Sequence, residues 1–279
     1  MKTPVLGLAL ALLLAGLPAL QAPRDPQRYE PTRGQDGKDV VWGPTSPAQV
    51  AAMLDMAGVG PGDTVIDLGS GDGRIVIAAA TRGARGIGLE YNADLVALAR
   101  RLAQDAGVAD RTSFTQADIF AADFGEATVL TLYLMTDLNL RLRPKILGMR
   151  PGTRVVSNSF GMKDWKADQQ KVVDGRPIYS WIVPARAAGT WTWTLDAGEA
   201  RLTLQQRFQT ITGRVTIAGA NRSIRNATLS GRRIRFSAGT NTATSMAFAG
   251  VIDDDAIDGQ VTRSGGAEAP WHARRVSTR

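Results

Sequence analysis

Three acidic side chains and one glycine-rich loop form the pattern in this sequence that is best suited to chemistry. Asp67 and Glu90 lie at the ends of two short apolar stretches, and Asp118 follows a third. The first stretch runs directly into Gly69-Ser70-Gly71-Asp72-Gly73. Backbone N–H groups in such a loop let a ligand approach closely, and carboxylates at neighbouring strand ends can bind ribose hydroxyls. The pattern predicts a nucleoside site, with Glu90 at the ribose and Asp118 at an adenine amine.

The spacing of the glycines narrows the class of ligand. The loop reads G-x-G-x-G, whereas the dinucleotide fingerprint is G-x-G-x-x-G. The spacing therefore disfavours a nucleotide-dependent oxidoreductase, which stays open as an alternative. Any one of the three acids taken alone is equally well explained as a helix cap or a turn residue.

Alternating strands and helices must position these residues. Ser46-Pro47 is typical of a helix start, and Asn92 is expected to cap a helix that runs to about Ala106. A further helix is predicted over Arg74–Thr81. The predicted strands are Thr64–Leu68, Gly86–Glu90, Thr112–Gln116, Thr128–Tyr133, Arg154–Ser157 and Ile178–Val183. Strands that alternate with helices indicate an α/β domain with a parallel sheet, placed at residues 41–186.

In the C-terminal third, residues 187–279, the spacing of the apolar residues changes. Apolar and polar residues alternate in Trp191–Leu195 and in several later stretches, and glycine-containing turns separate them. This pattern predicts a small all-β domain, either a barrel or a sandwich. Its twelve basic residues are all Arg, against seven acidic residues, so it carries most of the net charge of +7. We interpret the arginines as a solvated face, with an acidic partner or anionic lipid as the alternative.

The N-terminus carries a hydrophobic segment, assigned to residues 1–22. The apolar run Val5–Leu17 would span about 20 Å as a helix, which is shorter than the roughly 30 Å hydrocarbon core of a bilayer. Its length favours a signal peptide, whereas the basic residues that follow it favour a retained anchor. We expect a membrane-associated or exported protein and leave cleavage and orientation open. Residues 23–40 are rich in proline, glycine and charge and are predicted to be a linker.

Composition excludes several kinds of site. The 279-residue chain has no cysteine and one histidine, His272. Disulfides, cysteine-ligated zinc and a catalytic thiol are therefore excluded, and no metal site is predicted.

The motifs DLGSGDGRIVIAAA, GIGLE and QADIF together resemble those of class I, seven-strand S-adenosylmethionine-dependent methyltransferases. The resemblance covers residues 41–186. It implies a Rossmann-like sheet and S-adenosylmethionine as the cofactor. By the resemblance, the methionine part of the cofactor binds at Asp67, Gly69, Ser70 and Gly71, the ribose at Glu90, and the adenine at Asp118 and Ile119.

Two further segments point to one branch of this family. Trp42-Gly43-Pro44-Thr45 is similar to a loop that closes over the cofactor in related enzymes, and Val155–Trp165 reads VVSNSFGMKDW. The combination resembles the membrane-tethered mitochondrial protein-lysine methyltransferases and, more distantly, the non-SET histone lysine methyltransferase. The resemblance implies a protein lysine as the methyl acceptor.

A lysine acceptor must lose its proton before it reacts, and burial in an apolar or aromatic channel lowers the pKa of an amine. Tyr133, Asn158 and Phe160 are the candidates for lining that channel, with Tyr133 and Asn158 taken as catalytic. The sequence Leu132–Asp137 lacks the Asn/Asp-Pro-Pro-Tyr motif, so no nucleic-acid partner is expected. The oligomeric state stays open.

The alternative that the protein is not an enzyme also stays open. An exported protein would not meet S-adenosylmethionine at useful concentration, which would favour a non-catalytic binding protein with a degenerate methyltransferase-like domain. If the domain is active, we expect it in the cytoplasm.

Overall fold

The computed structural model describes residues 29–195, 198–239 and 245–277. The hydrophobic segment predicted at 1–22 and the first part of the predicted linker lie outside these residues. Two sheets organise the described chain, one within residues 64–182 and one within residues 189–277.

The first sheet has seven strands in the order β3-β2-β1-β4-β5-β7-β6. Strands β1 to β5 are parallel, β7 is antiparallel to β5, and β6 is antiparallel to β7. The strands are β1 Thr64–Leu68, β2 Arg85–Glu90, β3 Thr112–Gln116, β4 Val129–Leu132, β5 Arg154–Asn158, β6 Gln169–Val173 and β7 Arg176–Ile182. This is the Rossmann-like seven-strand sheet that the motifs implied, with an antiparallel pair at one edge.

Four helices cover the two faces of this sheet. They are α1 Pro47–Met56, α2 Arg74–Thr81, α3 Ala93–Asp105 and α4 Thr136–Leu147. Ser46 caps α1 through a capping box with Gln49, and Asn92 caps α3 by accepting from Asp94 N and Leu95 N. These caps bond backbone N–H groups that have no partner within their own helix.

The central strands are apolar on both faces, as expected of a sheet covered by helices on each side. Val65, Val129 and Val156 pack with α1 and α2, whereas Ile66 and Leu130 pack with α4 on the opposite face.

The second sheet is antiparallel, has nine strands and follows the chain as a simple meander. Its strands are β8 Gly189–Leu195, β9 Gly198–Arg207, β10 Thr210–Ile217, β11 Ala220–Ser223, β12 Arg225–Ser230, β13 Arg233–Ala238, β14 Met246–Asp253, β15 Ala256–Arg263 and β16 Glu268–Ser277. The last strand, β16, pairs with the first, β8, and β12 lies beside β10 across the remaining gap. The structure is therefore a nearly closed barrel, which decides between the two expected architectures.

An aromatic cluster fills the barrel. Trp193, Phe236, Phe248 and Trp271 are buried, and Phe236 stacks on Phe248 at a centroid distance of 4.7 Å. Trp271 meets Phe248 edge to face at 5.1 Å. Inward-facing aromatic residues thus account for the alternation seen in the sequence.

No helix within the described residues is long and apolar enough to cross a membrane.

Candidate active site

A cavity of about 340 Å³ lies at the carboxyl ends of β1, β2 and β4. The strand order reverses between β1 and β4, and ligands of open α/β sheets bind at this kind of switch point. Nine of the residues predicted for the cofactor site and the acceptor channel line the cavity: Asp67, Gly69, Ser70, Gly71, Glu90, Asp118, Ile119, Tyr133 and Phe160. Three successive strand ends therefore do converge on one cleft.

The glycine-rich loop needs glycine at Gly71 for two reasons. Its φ is +55°, a left-handed conformation that side-chain-bearing residues rarely adopt. A Cβ on Gly71 would also lie 2.9 Å from Nε1 of Trp42. The loop can hold this path, and bring its backbone close to a ligand, only without a side chain here.

Glu90 is held in place by backbone donors. Its Oε2 accepts from Gly71 N at 2.8 Å, and its Oε1 accepts from Asn92 N at 2.9 Å. Each carboxylate oxygen can accept a second hydrogen bond. The side chain is thus pre-oriented at the cavity to accept from a pair of ligand hydroxyls.

Asp67 is a buried carboxyl at the base of the loop. Thr131 Oγ1 donates to its Oδ1 at 2.7 Å. Burial raises the pKa of Asp67 to about 7, with the nearby carboxylates Glu90 and Asp72 adding to the rise and the Thr131 hydrogen bond opposing it. A cation bound in the cavity would favour the ionised form of this carboxyl.

Asp118 already has two partners. Lys38 Nζ donates to its Oδ2 at 2.6 Å, and Phe120 N donates to its Oδ1 at 2.9 Å. The hydrogen bond from Lys38, with the backbone bond, holds the pKa of Asp118 below its usual value. The same ammonium lies 5.0 Å from the centre of the Tyr91 ring.

Lys38 belongs to a segment whose composition predicted a linker. Residues 35–45 line the cavity and form what we call the strap. Gly34 N donates to Trp42 O at 2.8 Å and Trp42 N donates to Gln35 O at 2.9 Å, which closes the strap on itself. Residues 35–40 of the predicted linker at 23–40 therefore line the cavity. No local periodicity could have found these contacts, because Lys38 and Asp118 lie about 80 positions apart in sequence.

Part of the cavity lining is aromatic. Tyr133 and Phe160 both line the cavity, and their rings stack at a centroid distance of 6.2 Å. Arg176 Nη1 donates to the Tyr133 hydroxyl at 3.1 Å. We call Tyr133 and Phe160 the aromatic wall.

The structure does not bring Asn158 into the cavity. Its side chain is fully buried, donates through Nδ2 to Gln49 Oε1 at 3.2 Å, and accepts from Ser159 Oγ at 3.1 Å. The residue that supports the aromatic wall is instead Asn139, which donates to Phe160 O at 3.0 Å. The sequence placed Asn158 at a strand end, but its side chain faces α1.

Comparison with known proteins places these features in a family. The family described as "ANTKMT methyltransferase domain" matches residues 67–169. A protein-lysine N-methyltransferase of Saccharolobus islandicus is 37% identical over 151 residues, covering 52% of this chain and 94% of that protein. The adenine nucleotide translocase lysine N-methyltransferase of Mus musculus is 35% identical over 123 residues, covering 43% of this chain. This chain spans 53% of the length of that mouse protein.

Among solved structures, one is described as an RNA methyltransferase from Salinibacter ruber in complex with S-adenosyl-L-homocysteine. It is 48% identical, covers 50% of this chain and 93% of its own, and superposes with a TM-score of 0.49.

The residues at the cavity fit S-adenosylmethionine. Glu90 can accept from the two ribose hydroxyls, and the buried hydroxyl of Ser70, a residue that lines the cavity, has no hydrogen-bond partner among the described residues. Asp67 can offset the positive charge of a sulfonium. The comparisons favour neither the oxidoreductase nor the non-catalytic binding protein. The chain belongs to the class I S-adenosylmethionine-dependent methyltransferases, in the branch that contains the protein-lysine methyltransferases.

Proposed function

We propose that this enzyme transfers a methyl group to the side-chain amine of a lysine in a protein substrate. The observation that carries the proposal is the aromatic wall, which lines the same cavity as the glycine-rich loop. The likeness to the protein-lysine N-methyltransferase of Saccharolobus islandicus over 94% of its length supports the same acceptor.

S-adenosylmethionine supplies an electrophilic methyl group when it is bound. The chain must present a neutral amine in line with it, at a contact distance of about 3–3.5 Å. Glu90 and the glycine-rich loop orient the nucleoside, and the strap covers the cavity and limits the access of water. Positioning and exclusion of water are the main contributions that such a displacement needs.

The aromatic wall has two effects on a lysine amine. Ring faces attract the cationic ammonium as it enters, and the loss of water then disfavours the charged form, so that the amine pKa falls from about 10.4. The Arg176 guanidinium, bonded to the Tyr133 hydroxyl, adds a positive charge that disfavours the ammonium further. The proton leaves to solvent before the transfer, so no histidine is required.

We also propose that the N-terminal hydrophobic segment associates the enzyme with a membrane, with the catalytic domain on the cytoplasmic side. The apolar run Val5–Leu17 and the basic residues that follow it support this orientation. Fractionation of cells that produce the full chain, followed by protease treatment of intact spheroplasts, tests the proposal. Release of the catalytic domain by the protease would contradict it.

Radiolabelled methyl transfer tests the acceptor. The full chain is incubated with labelled S-adenosylmethionine and either lysate protein or total RNA, and labelled peptides are mapped by mass spectrometry. We expect methyl-lysine in protein and loss of the label in Glu90→Ala. Glu126→Ala is the matched control, because Glu126 is exposed and pairs with Arg85 away from the cavity. Label in RNA, or on residues other than lysine, would refute the proposal.

A further inference from the structure

A two-residue turn of the barrel is packed into the catalytic domain. Phe208 and Gln209 join β9 to β10, and the ring of Phe208 packs with the core of the catalytic domain, not with the aromatic core of the barrel. The ring stacks on Trp165 at a centroid distance of 5.8 Å, with Arg143 of α4 over it at 5.3 Å. A residue of the barrel thus packs as part of the hydrophobic core of the catalytic domain.

The backbone of the turn is unusual for the residue it carries. Phe208 has a φ of +55°, in the left-handed region where Gly, Asn and Asp are the usual residues of a two-residue turn. The comparable turns at Ala218 and Asp254 carry small or short polar side chains. An unfavourable conformation of a bulky residue persists only where the surrounding structure holds it.

Gln209 fixes the same region by hydrogen bonds. Trp165 Nε1 donates to Gln209 Oε1 at 3.0 Å, and Gln209 Nε2 donates to Lys166 O at 2.8 Å and to Asp168 Oδ1 at 3.1 Å. Residues 159–168 form the connection from β5 to β6, which we call the acceptor loop. The turn therefore holds the distal half of the acceptor loop.

An ion-pair bridge adds to this hold. Asp164 in the acceptor loop pairs with Arg143 of α4 and, at 3.0 Å, with Arg207 at the end of β9. The two guanidinium groups, Arg143 first, keep the pKa of Asp164 below its usual value. One carboxylate thus joins the loop, the helix and the barrel.

The proximal end of the acceptor loop reaches the active site. Phe160 is its second residue and forms half of the aromatic wall. Ser157 Oγ and Asn139 Nδ2 fix the carbonyl of Phe160, and Arg143 donates to Met162 O at 3.2 Å. Trp165 N donates to Met162 O at 3.1 Å, which joins the part of the loop held by the turn to the part that follows Phe160.

We propose that the β9–β10 turn is a positioning element for the methyl acceptor, and that Phe208 holds the acceptor loop so that Phe160 stays in the aromatic wall. Neither residue of the turn lines the cavity, so the turn affects the acceptor and leaves cofactor binding unchanged. This inference depends on the proposed function in one respect, namely that the methyl acceptor is a lysine.

The test compares the full-length wild type with Phe208→Ala, Phe208→Tyr and Ala218→Gly. Hydrogen exchange measures the acceptor loop, calorimetry measures binding of S-adenosylhomocysteine, and labelled transfer into lysate protein measures activity. In Phe208→Ala we expect exchange of residues 159–168 to rise at least tenfold and the acceptor KM to rise at least fivefold. We expect the Kd for S-adenosylhomocysteine to stay within twofold. Phe208→Tyr keeps the ring, and Ala218→Gly alters a turn outside this contact, so both should match the wild type.

Exchange of the acceptor loop unchanged in Phe208→Ala would overturn the proposal, as would a parallel loss of S-adenosylhomocysteine binding. Circular dichroism verifies that each variant folds; if Phe208→Ala does not, Gln209→Ala takes its place with the same expected results. If the wild type labels no lysine, the proposed function fails. The exchange and binding measurements do not use an acceptor, and they still decide the positioning role.

Discussion

The hydroxyl of Thr131 on β4 donates to the carboxyl of Asp67 on β1 at 2.7 Å, beneath the glycine-rich loop. This contact lies at the point where the strand order reverses, so it ties the two strands that form the cleft. It also leaves Asp67 as a buried acid with one neutral donor and two acidic neighbours, Glu90 and Asp72.

The first prediction concerns the pH dependence of stability. The pKa of Asp67 is about 7 in the folded chain, above the ordinary 3.8, so between these values the folded state binds one more proton than the unfolded state. The stability from this proton is fully present below about pH 4 and is lost as the pH rises through about 7, on the order of 4 kcal/mol in total. Asp67→Asn should flatten the fall in Tm between about pH 5 and about pH 7.5 when measured without ligand. An equally steep fall in the variant would contradict this assignment.

The second prediction concerns cofactor affinity. Glu90→Ala removes the acceptors of Gly71 N and Asn92 N together with those offered to the ribose. Hydrogen bonds to charged groups contribute about 1.5–3 kcal/mol each, so loss of the bonds to both ribose hydroxyls should lower affinity for S-adenosylhomocysteine by at least about 100-fold. Titration calorimetry measures it, and Glu126→Ala should bind as the wild type does.

The third prediction concerns the strap. Asp118→Ala removes the carboxylate that Lys38 bonds at 2.6 Å and leaves it the longer pair with Asp39 and the Tyr91 ring, so the strap should open more often. Limited trypsin digestion should then cut at Lys38 several times faster than in the wild type, and saturating S-adenosylhomocysteine should slow the cleavage. Asp110→Ala, at an exposed pair with Arg111, is the control. Equal cleavage rates in all three chains would show that the Lys38 contact does not hold the strap.

The fourth prediction separates the ring of Tyr133 from its hydroxyl. Tyr133→Phe keeps the stacking on Phe160 and loses only the bond from Arg176, so transfer should fall by no more than about threefold. Tyr133→Ala removes half of the aromatic wall, and kcat/KM for the acceptor should fall at least tenfold, about 1.4 kcal/mol or more. If the two variants lose the same activity, the hydroxyl and not the ring is the important group.

The fifth prediction concerns Asn158, which the sequence suggested as catalytic. Asn158→Ala removes the buried hydrogen bond to Gln49 Oε1, which keeps only the donor Ser46 N, and takes the acceptor away from Ser159 Oγ. The substitution should lower the free energy of unfolding by about 1–3 kcal/mol. Methyl transfer by the folded variant, measured well below its Tm, should stay within twofold of the wild type. A large loss of transfer without a loss of stability would restore the catalytic role.

Much of the site was accessible from the sequence because its signals are local. The loop at Gly69–Gly73 and the acids Glu90 and Asp118 follow strands whose apolar composition is evident, and parallel strands carry such residues to one edge. The caps Ser46 and Asn92 were accessible for the same reason, since a cap acts on the next turn of its own helix.

The missed features depend on contacts between distant residues. Strand β6 was not predicted, because its residues are mostly exposed and polar and only pairing with β7 makes it a strand. The strap has a linker-like composition but is bound through Lys38 and Trp42. The second domain is a barrel and not a sandwich because β16 pairs with β8. The alternation of apolar and polar residues within each strand does not show which strands pair.

That pairing has a consequence for how the protein is made. Trp271 on β16 completes the aromatic core, and β16 is the last of the nine strands to leave the ribosome, whereas all seven strands of the first sheet have emerged by Ile182. Contacts between segments far apart in sequence form slowly. The nascent chain therefore completes its cofactor-binding half well before the ring of the barrel can close.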